Sequence, residues 1–427
     1  MGRFSRVVFL LAGLVLMPAL LFAQFNNNTT SPYSRFGLGD LQPNTFGRTT
    51  AMGGAALASR NSQQINTANP ASYTAVDSLA FLFEFGIFGK FSNYSNDLAS
   101  MNANDINFRY FALNFQITNW LATSAGLKPY SDVGYDVTVR DDVTNAGAIQ
   151  YNYYGEGSLS RAYLGFGLDP IENVSVGANI NYMFGTLNRN AEANFLESAA
   201  FYGVQKFERI RVRDFGFDFG LQASLPMKEN ERFTFAAVLE AKPEYTAFYS
   251  DLTLKNISSG NSVDQDTLNF QEEEKSFIKF PLTFGFGVSY VKKDKLEINA
   301  DYYHQSWSNV NLPGGGSDVL TDLDKFAVGA EWIPEKFSIG SYLNRIAYRA
   351  GLNYEKSYLK INNQEINGFG ISFGVGLPVY RSSSTINVSA EIGRKGTKQN
   401  NLVLENYAKI NLSVNLYDLW FIQRRYD

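Results

Sequence analysis

Alternation of apolar and polar residues, sustained over strand-length segments from about residue 80 to the C-terminus, most constrains this chain. It is clearest near the end of the chain, where the apolar positions are Ala408, Ile410, Leu412, Val414 and Leu416. A period of two places successive side chains on opposite faces of a sheet, so one face contacts hydrocarbon and the other contacts water. The pattern predicts an all-β protein with one lipid-facing surface.

Fourteen segments follow this pattern, an even number as in single-chain bacterial barrels. They span 79–91, 106–117, 119–138, 150–168, 172–186, 208–225, 231–248, 271–290, 295–308, 323–333, 345–356, 368–377, 384–395 and 404–417. Short connections alternate with longer ones, with one exception at 334–344. Outer-membrane barrels alternate short periplasmic turns with long outer loops in this way. We therefore predict a transmembrane antiparallel β-barrel of about 14 strands whose two ends lie in the periplasm.

The N-terminus has the pattern of a secretory signal peptide. Arg3 and Arg6 precede an apolar run at 7–16 and a small-residue cleavage site at 21–23. Cleavage would begin the mature chain at Gln24, and an uncleaved anchor is the alternative. We divide the chain into a signal peptide (1–23), an N-terminal hatch segment (24–78), the barrel (79–417) and a periplasmic tail (418–427). The predicted location is the outer membrane of a Gram-negative cell.

Composition excludes several function classes. The chain has no cysteine, which excludes disulfides, thiolate metal sites and a cysteine nucleophile, and its single histidine argues against an imidazole metal site. Loss of Arg3 and Arg6 with the signal changes the formal charge from −4 to −6, which argues against a nucleic-acid partner. We expect no metal, no cofactor and no nucleic acid.

Ionisable residues of both signs occupy the strand face opposite the apolar one. They are Lys128, Arg161, Asp214, Asp218, Glu240, Glu297, Asp301, Glu331, Arg349, Glu355, Glu391 and Lys409. Facing lipid would be costly for each of them, so we expect them to face the lumen. Two interpretations remain open: these residues pair with each other and with the N-terminal segment, or they line a passage for a solute.

The N-terminal segment carries the motifs of a known family. It contains Gly47-Arg48, a small-residue run at 52–58, and Asn69-Pro70-Ala71 just before the first strand. These motifs resemble the FadL-like long-chain fatty-acid transporters, as do residues 157–184 and the sequence at 306–308. The resemblance implies a hatch folded inside a fourteen-stranded barrel, with Gly47, Arg48, Asn69, Pro70 and Ala71 as hatch residues. The chain departs from the family in its tail beyond Leu419.

The third predicted strand contains Gly126, Pro129 and Gly134. Proline cannot donate to a strand ladder, so Pro129 predicts a local break or bulge. In the resembled family a kink in this strand opens a lateral gate in the barrel wall. The resemblance therefore implies that these three residues line a ligand path, whereas a bulge that only relieves curvature is the alternative.

The predicted loop at 187–207 carries Phe195, Leu196 and Phe201, and its stretch 191–200 lacks glycine and proline. We predict a short outer helix there. The resemblance implies that these residues, together with the loop at 249–270, capture a hydrophobic ligand at the cell surface. Loops of this length are also common on barrels that bind nothing.

One sequence feature suggests enzymatic chemistry. His304 and Ser306 have the His-x-Ser spacing of the dyad in outer-membrane phospholipase A, where the imidazole activates the serine. No orienting Asn or Asp can be placed from sequence, so we predict that the protein is not an enzyme.

The favoured function is passive uptake of fatty-acid-like hydrophobic small molecules, by outer-loop capture and lateral exit through the wall. The rival is a non-transporting FadL-like barrel that serves as a scaffold or accessory subunit of an outer-membrane secretion or assembly complex. We expect a monomeric barrel whose partners are outer-membrane lipid and a hydrophobic ligand. Its tail would be placed to dock a periplasmic or outer-membrane protein.

Overall fold

The computed structural model describes residues 28–144, 147–196, 202–227, 229–241, 244–259 and 262–420. Fourteen antiparallel strands form one closed barrel. They are β1 (Ala80–Ser95), β2 (Ser100–Thr118), β3 (Leu121–Val143), β4 (Gly147–Ile171), β5 (Val174–Phe195), β6 (Gly203–Pro226), β7 (Glu231–Glu240 and Glu244–Ser259), β8 (Ser262–Lys279 and Thr283–Lys292), β9 (Leu296–Gln305), β10 (Leu323–Trp332), β11 (Ala347–Ile361), β12 (Gln364–Pro378), β13 (Thr385–Gly396) and β14 (Leu404–Leu419).

The barrel closes between its first and last strands, whose ladder runs from Leu404↔Ser95 to Leu419↔Ala80. Pro281, which has no N–H to donate, lies between the two segments of β8. In the described part of the chain, the remaining regular elements are a two-residue strand at Asp40–Leu41 and short 3-10 helices at Pro32–Arg35, Gly47–Met52, Pro70–Ala75, Trp307–Asn309, Leu343–Arg345 and Gln399–Asn401. Among the described residues, no helix is long and apolar enough to cross a membrane. The predicted all-β barrel is confirmed.

Alternation along the strands separates a lipid-facing surface from a luminal one. On β6, Phe215, Phe217 and Phe219 are about half exposed, whereas Asp218 and Gln222 between and beyond them are buried. Six of the twelve predicted luminal ionisable residues are buried and the other six are partly buried; the buried ones are Lys128, Arg161, Asp218, Glu297, Glu331 and Arg349. The period of two in the sequence therefore corresponds to an apolar exterior and a polar interior.

The outer connections differ from the prediction. Strands β1 to β8 continue into most of the stretches predicted as long loops: β1 and β2 are joined by 96–99 alone, β3 extends to Val143, and β4 begins at Gly147. The predicted helix at 191–200 is wrong over its described part, because Ala191 to Phe195 form the end of β5 and pair with β4. Cross-strand pairing outweighs the local absence of helix breakers there. Phe201 lies outside the described residues.

The N-terminal segment, described from Asn28 to Leu79, packs against the inner wall. Met52, Ala55, Ala58 and Ala71 are fully buried. Strand glycines allow the close approach: a Cβ added to Gly351 would lie 2.2 Å from the backbone carbon of Met52. Whether this segment acts as a hatch stays a prediction.

Strand β3 is paired with both of its neighbours over only part of its length. The β2–β3 ladder begins at Thr118↔Leu121 and ends at Phe111↔Leu127, although β3 continues to Val143 beside β4. The β3–β4 register shifts between Pro129 and Ser131, which confirms the predicted bulge. We call the stretch between β2 and β3 beyond Phe111 and Leu127 the seam.

Candidate functional site

A buried ionic cluster fixes the N-terminal segment to the inner wall. Arg48 Nε lies 2.8 Å from Glu331 Oε2, and Arg48 Nη2 lies 2.5 Å from Glu297 Oε2. Arg349 Nε binds the same Glu331 oxygen at 2.6 Å, and the Ser59 hydroxyl donates to Glu297 at 2.6 Å. Burial alone would lower the pKa of Arg48, but Glu297 and Glu331 raise it above its ordinary value. The guanidinium is thus held charged in the lumen.

The Gly47-Arg48 motif has the residue types that this packing against the inner wall requires. Gly47 has a φ of +51°, and a Cβ there would meet the carboxylate of Glu84 at 1.9 Å. Gly47 and Arg48 begin a 3-10 helix that contacts strands β10 to β14 and β1. Glycine permits the tight entry, and arginine supplies the buried cation.

The Asn69-Pro70-Ala71 motif forms the second attachment. The Asn69 side chain accepts the Ala71 N–H at 3.0 Å, and it donates to the carbonyls of Leu57 at 3.0 Å and Leu221 at 3.3 Å. Pro70 occupies the first turn of a 3-10 helix, where its missing N–H has no cost. The motif therefore caps its own helix and binds β6.

Residues between and just after these attachments also form hydrogen bonds to side chains of the barrel wall. Asp301 Oδ2, on β9, accepts the N–H of Ala56 at 2.5 Å and that of Leu57 at 2.8 Å. The Arg60 guanidinium donates to Ser175 at 2.6 Å and to Gln222 at 3.1 Å. The luminal charges predicted from sequence thus pair with each other and with the N-terminal segment.

The start of the segment occupies the seam. Asp40 and Leu41 pair with Asp132 and Ser131 of β3 as a two-residue antiparallel ladder. Asn28 contacts both strands that border the seam. Its side chain donates to Asp132 of β3 at 3.2 Å, and its carbonyl accepts from Asn107 of β2. The chain's own N-terminal residues therefore bridge the two strands.

Further contacts hold this bridge. Ser34 Oγ lies 3.0 Å from both the carbonyl oxygen and the amide nitrogen of Gly134. The Asp40 carboxylate lies 2.9 Å from Lys395 Nζ on β13. Burial alone would raise the pKa of Asp40, but the Lys395 ammonium holds it below its ordinary value. Sequence reasoning assigned no role to 31–40, because these contacts link residues that are far apart in the sequence, by 100 positions for Ser34 and Gly134 and by 355 for Asp40 and Lys395.

The three predicted gate residues have different surroundings. Gly126 lies in the paired part of β3, where a Cβ would be 2.3 Å from the carbonyl oxygen of Phe111. Pro129 lies at the bulge, and Gly134 contacts Ser34. A cavity of about 110 Å³ adjoins Pro129 and is lined by Leu41 and Leu57 among others. Of the three residues, only Pro129 borders this cavity.

The outer capture residues are not brought to this cavity. Phe195 and Leu196 lie at the outer end of β5, and Leu196 is 51% exposed. Neither residue lines the cavity beside Pro129. Their role in ligand capture stays a prediction.

Solved structures with this fold include the Ralstonia pickettii toluene transporter TbuX and the P. putida toluene transporter TodX. Each is 14% identical, with 88% of this chain and 99% of that chain covered, at TM-scores of 0.55 and 0.57. A Pseudomonas aeruginosa FadL homologue is 10% identical over 90% of this chain and all of that chain, at a TM-score of 0.55. These likenesses confirm the FadL-like fold.

Sequence comparison gives a family as well as a fold. No curated protein matches the sequence. The BamG family model matches residues 6–427, which is nearly the whole chain. This outer-membrane barrel is therefore a member of the BamG family.

Proposed function

We propose that this protein is a non-transporting barrel that acts as a scaffold or accessory subunit of an outer-membrane secretion or assembly complex. The observation that carries the proposal is the fixation of the N-terminal segment. Arg48 forms a buried ionic cluster with Glu297, Glu331 and Arg349, and Leu41 pairs with the wall at the seam. A solute would have to displace both attachments, and breaking a buried ion pair costs about 3–5 kcal/mol.

Cavity size supports the same proposal. The cavity beside Pro129 measures about 110 Å³, and the neighbouring one beside Arg109 about 130 Å³. An apolar protein cavity that binds benzene measures about 150 Å³. Charged residues line both spaces, including Lys128 and Glu240 in the first. Neither space suits a fatty-acid-like chain.

A periplasmic loop supplies a surface for a protein partner. Trp332 and Tyr348, ladder partners with ring centroids 6.0 Å apart, have the position of the aromatic girdle at the periplasmic interface. The connection 333–346 continues beyond them. In it Phe337 is 76% exposed, Leu343 is 63% exposed and Ile339 is fully exposed. Large exposed apolar side chains beyond the girdle favour a contact with protein.

Affinity purification from native membranes tests the proposal. We expect stable, stoichiometric protein partners, and we expect F337E combined with I339E to lose them because charge opposes burial in an apolar contact. The matched control is L98E, since Leu98 is 91% exposed at the opposite, outer end of the barrel. Copurification of lipid without any protein would contradict the proposal.

Hydrophobic uptake is the second candidate. It is favoured by the position of the cavity at Pro129 next to the seam, although that cavity is small, and by a fold shared with toluene transporters. In this case a fatty-acid-like molecule would enter from the outer loops near Phe195 and leave sideways once Leu41 separates from Ser131. Uptake of a hydrophobic substrate by intact cells, compared between wild type and P129A, tests this candidate. Equal rates would reject lateral exit at Pro129.

A further inference from the structure

Three side chains on the outside of the barrel form a continuous hydrogen-bonded series. Ser306 Oγ lies 3.3 Å from His304 Nε2, and His304 Nδ1 lies 2.8 Å from Asp324 Oδ1. His304 and Asp324 are direct ladder partners on β9 and β10. The order of hydroxyl, imidazole and carboxylate is that of a nucleophile, its general base and the group that orients the base.

The series faces away from the lumen. Tyr303 and Gln305, the residues on either side of His304, line the luminal cavity, as do Leu323 and Lys325 on either side of Asp324. Because side chains alternate along a strand, His304 and Asp324 point outwards. Both are largely covered by neighbouring side chains but still reach the outer surface, at 18% and 28% side-chain exposure. The site is accessible from outside the barrel.

Neighbouring residues place the site at the outer edge of the lipid-facing band. Phe326 and Phe286 lie on the adjacent strands one step further into the membrane, and both are at least half exposed. The opposite edge is marked by Trp332, the ladder partner of Leu296. Eight residues of tilted strand separate Leu296 from His304, a rise of about 20 Å in a band about 25 Å tall. The three side chains thus lie at outer-leaflet depth.

Contacts around the imidazole fix its orientation. The hydroxyl of Tyr302 donates to Asp324 Oδ1 at 2.8 Å, and the ring of Phe284 lies 4.9 Å from the ring of His304. A carboxylate facing Nδ1 favours the tautomer in which Nδ1 carries the proton. Nε2 is then the acceptor that faces the Ser306 hydroxyl.

We propose that Ser306, His304 and Asp324 form an esterase site that cleaves the carboxylic ester of a membrane lipid's acyl chain. Ser306 Oγ attacks the ester carbonyl carbon while His304 Nε2 takes the hydroxyl proton. The bond from that carbon to the leaving oxygen then breaks, and His304 returns the proton to the released alcohol. Water, deprotonated by His304, hydrolyses the acyl-serine to a fatty acid and restores Ser306. Asp324 keeps its negative charge and stabilises the imidazolium.

The location suits this substrate class. An acyl chain can lie on the apolar wall formed by Phe284, Phe286 and Phe326 while its ester bond remains at the level of Ser306. The sequence supplied His304 and Ser306, whereas the strand register supplies Asp324. The proposal does not depend on the proposed scaffold role, because the site and the lumen lie on opposite faces of the sheet.

Labelling and hydrolysis by the purified full chain in detergent micelles test the site. A fluorophosphonate probe is expected to modify Ser306, identified by mass spectrometry of the labelled peptide. Hydrolysis of p-nitrophenyl butyrate and palmitate is expected to fall to the uncatalysed rate in S306A and H304A, and by about 10²–10⁴-fold in D324N.

The matched control is S308A, which removes an exposed hydroxyl two residues further along the chain. It should keep the wild-type rate and label. Every variant must retain the heat-modifiable gel mobility of a folded barrel. Absence of the Ser306 adduct, or wild-type hydrolysis no faster than that of S306A on both esters, would overturn the proposal.

Discussion

Leu41 of the N-terminal segment is the ladder partner of Ser131 in the third barrel strand. The pairing occurs where the β2–β3 ladder has ended, beyond Phe111 and Leu127. Backbone polar groups at membrane depth must find partners within the protein. The N-terminal segment therefore provides part of the wall, in addition to filling the lumen.

Loss of the Arg48 cation should loosen the segment. R48A leaves Glu297 and Glu331 buried without their main partner, so we expect the free energy of local opening at 47–58 to fall by about 3–5 kcal/mol. Native-state hydrogen exchange measures that opening. As control, R211A breaks the exposed Arg211–Glu273 pair and should change stability by about 1 kcal/mol or less. Equal protection in both variants would refute the role of Arg48.

A single methyl group at Gly351 should prevent the segment from seating. The added Cβ would lie 2.2 Å from Gly53 N, a contact that only a backbone movement relieves. We expect G351A to expose the segment to trypsin at Arg48 and Arg60. G368A is the matched control, because the nearest heavy atom to its Cβ is 3.7 Å away. Equal resistance of the two variants to trypsin would count against this packing.

Asn69 should stabilise the turn beside it. N69A removes the cap on Ala71 and the donors to Leu57 and Leu221, so we expect local stability to fall by about 0.5–2 kcal/mol for the cap alone. Hydrogen exchange of the 70–75 amides measures the effect. The control is N93A, which removes exposed hydrogen bonds at the other end of the barrel. The prediction fails if the two variants protect these amides equally.

The ion pair between Asp40 and Lys395 should persist in mild acid. The pKa of Asp40 is lowered in the folded chain, so its stabilising effect is complete above its unfolded value of about 3.9 and is lost as pH falls further. We expect exchange of the 38–42 amides, corrected for intrinsic rates, to rise below about pH 4 in the wild type. D40N should abolish that rise. The same rise below about pH 4 in D40N would contradict this assignment.

The strands were predictable because a membrane imposes one apolar face over the whole height of the bilayer. Beyond the membrane both faces meet water, so the outer extensions of β5 and β6 resembled loops in the sequence. Arg48 and Asn69 were found through motifs, yet their partners Glu331 and Leu221 depend on the fold. The Asp324–His304 contact depends on strand register, which alternation alone does not determine.

The most direct test of the account is a disulfide between Leu41 and Ser131. The chain has no native cysteine, and ladder partners lie about 4.5–5.5 Å apart at Cα, within disulfide range. With L41C and S131C oxidised, a scaffold whose seam stays closed should retain its copurifying partners and support growth as the reduced form does. The account would be contradicted if oxidation abolished the uptake of a hydrophobic compound and a reductant restored it.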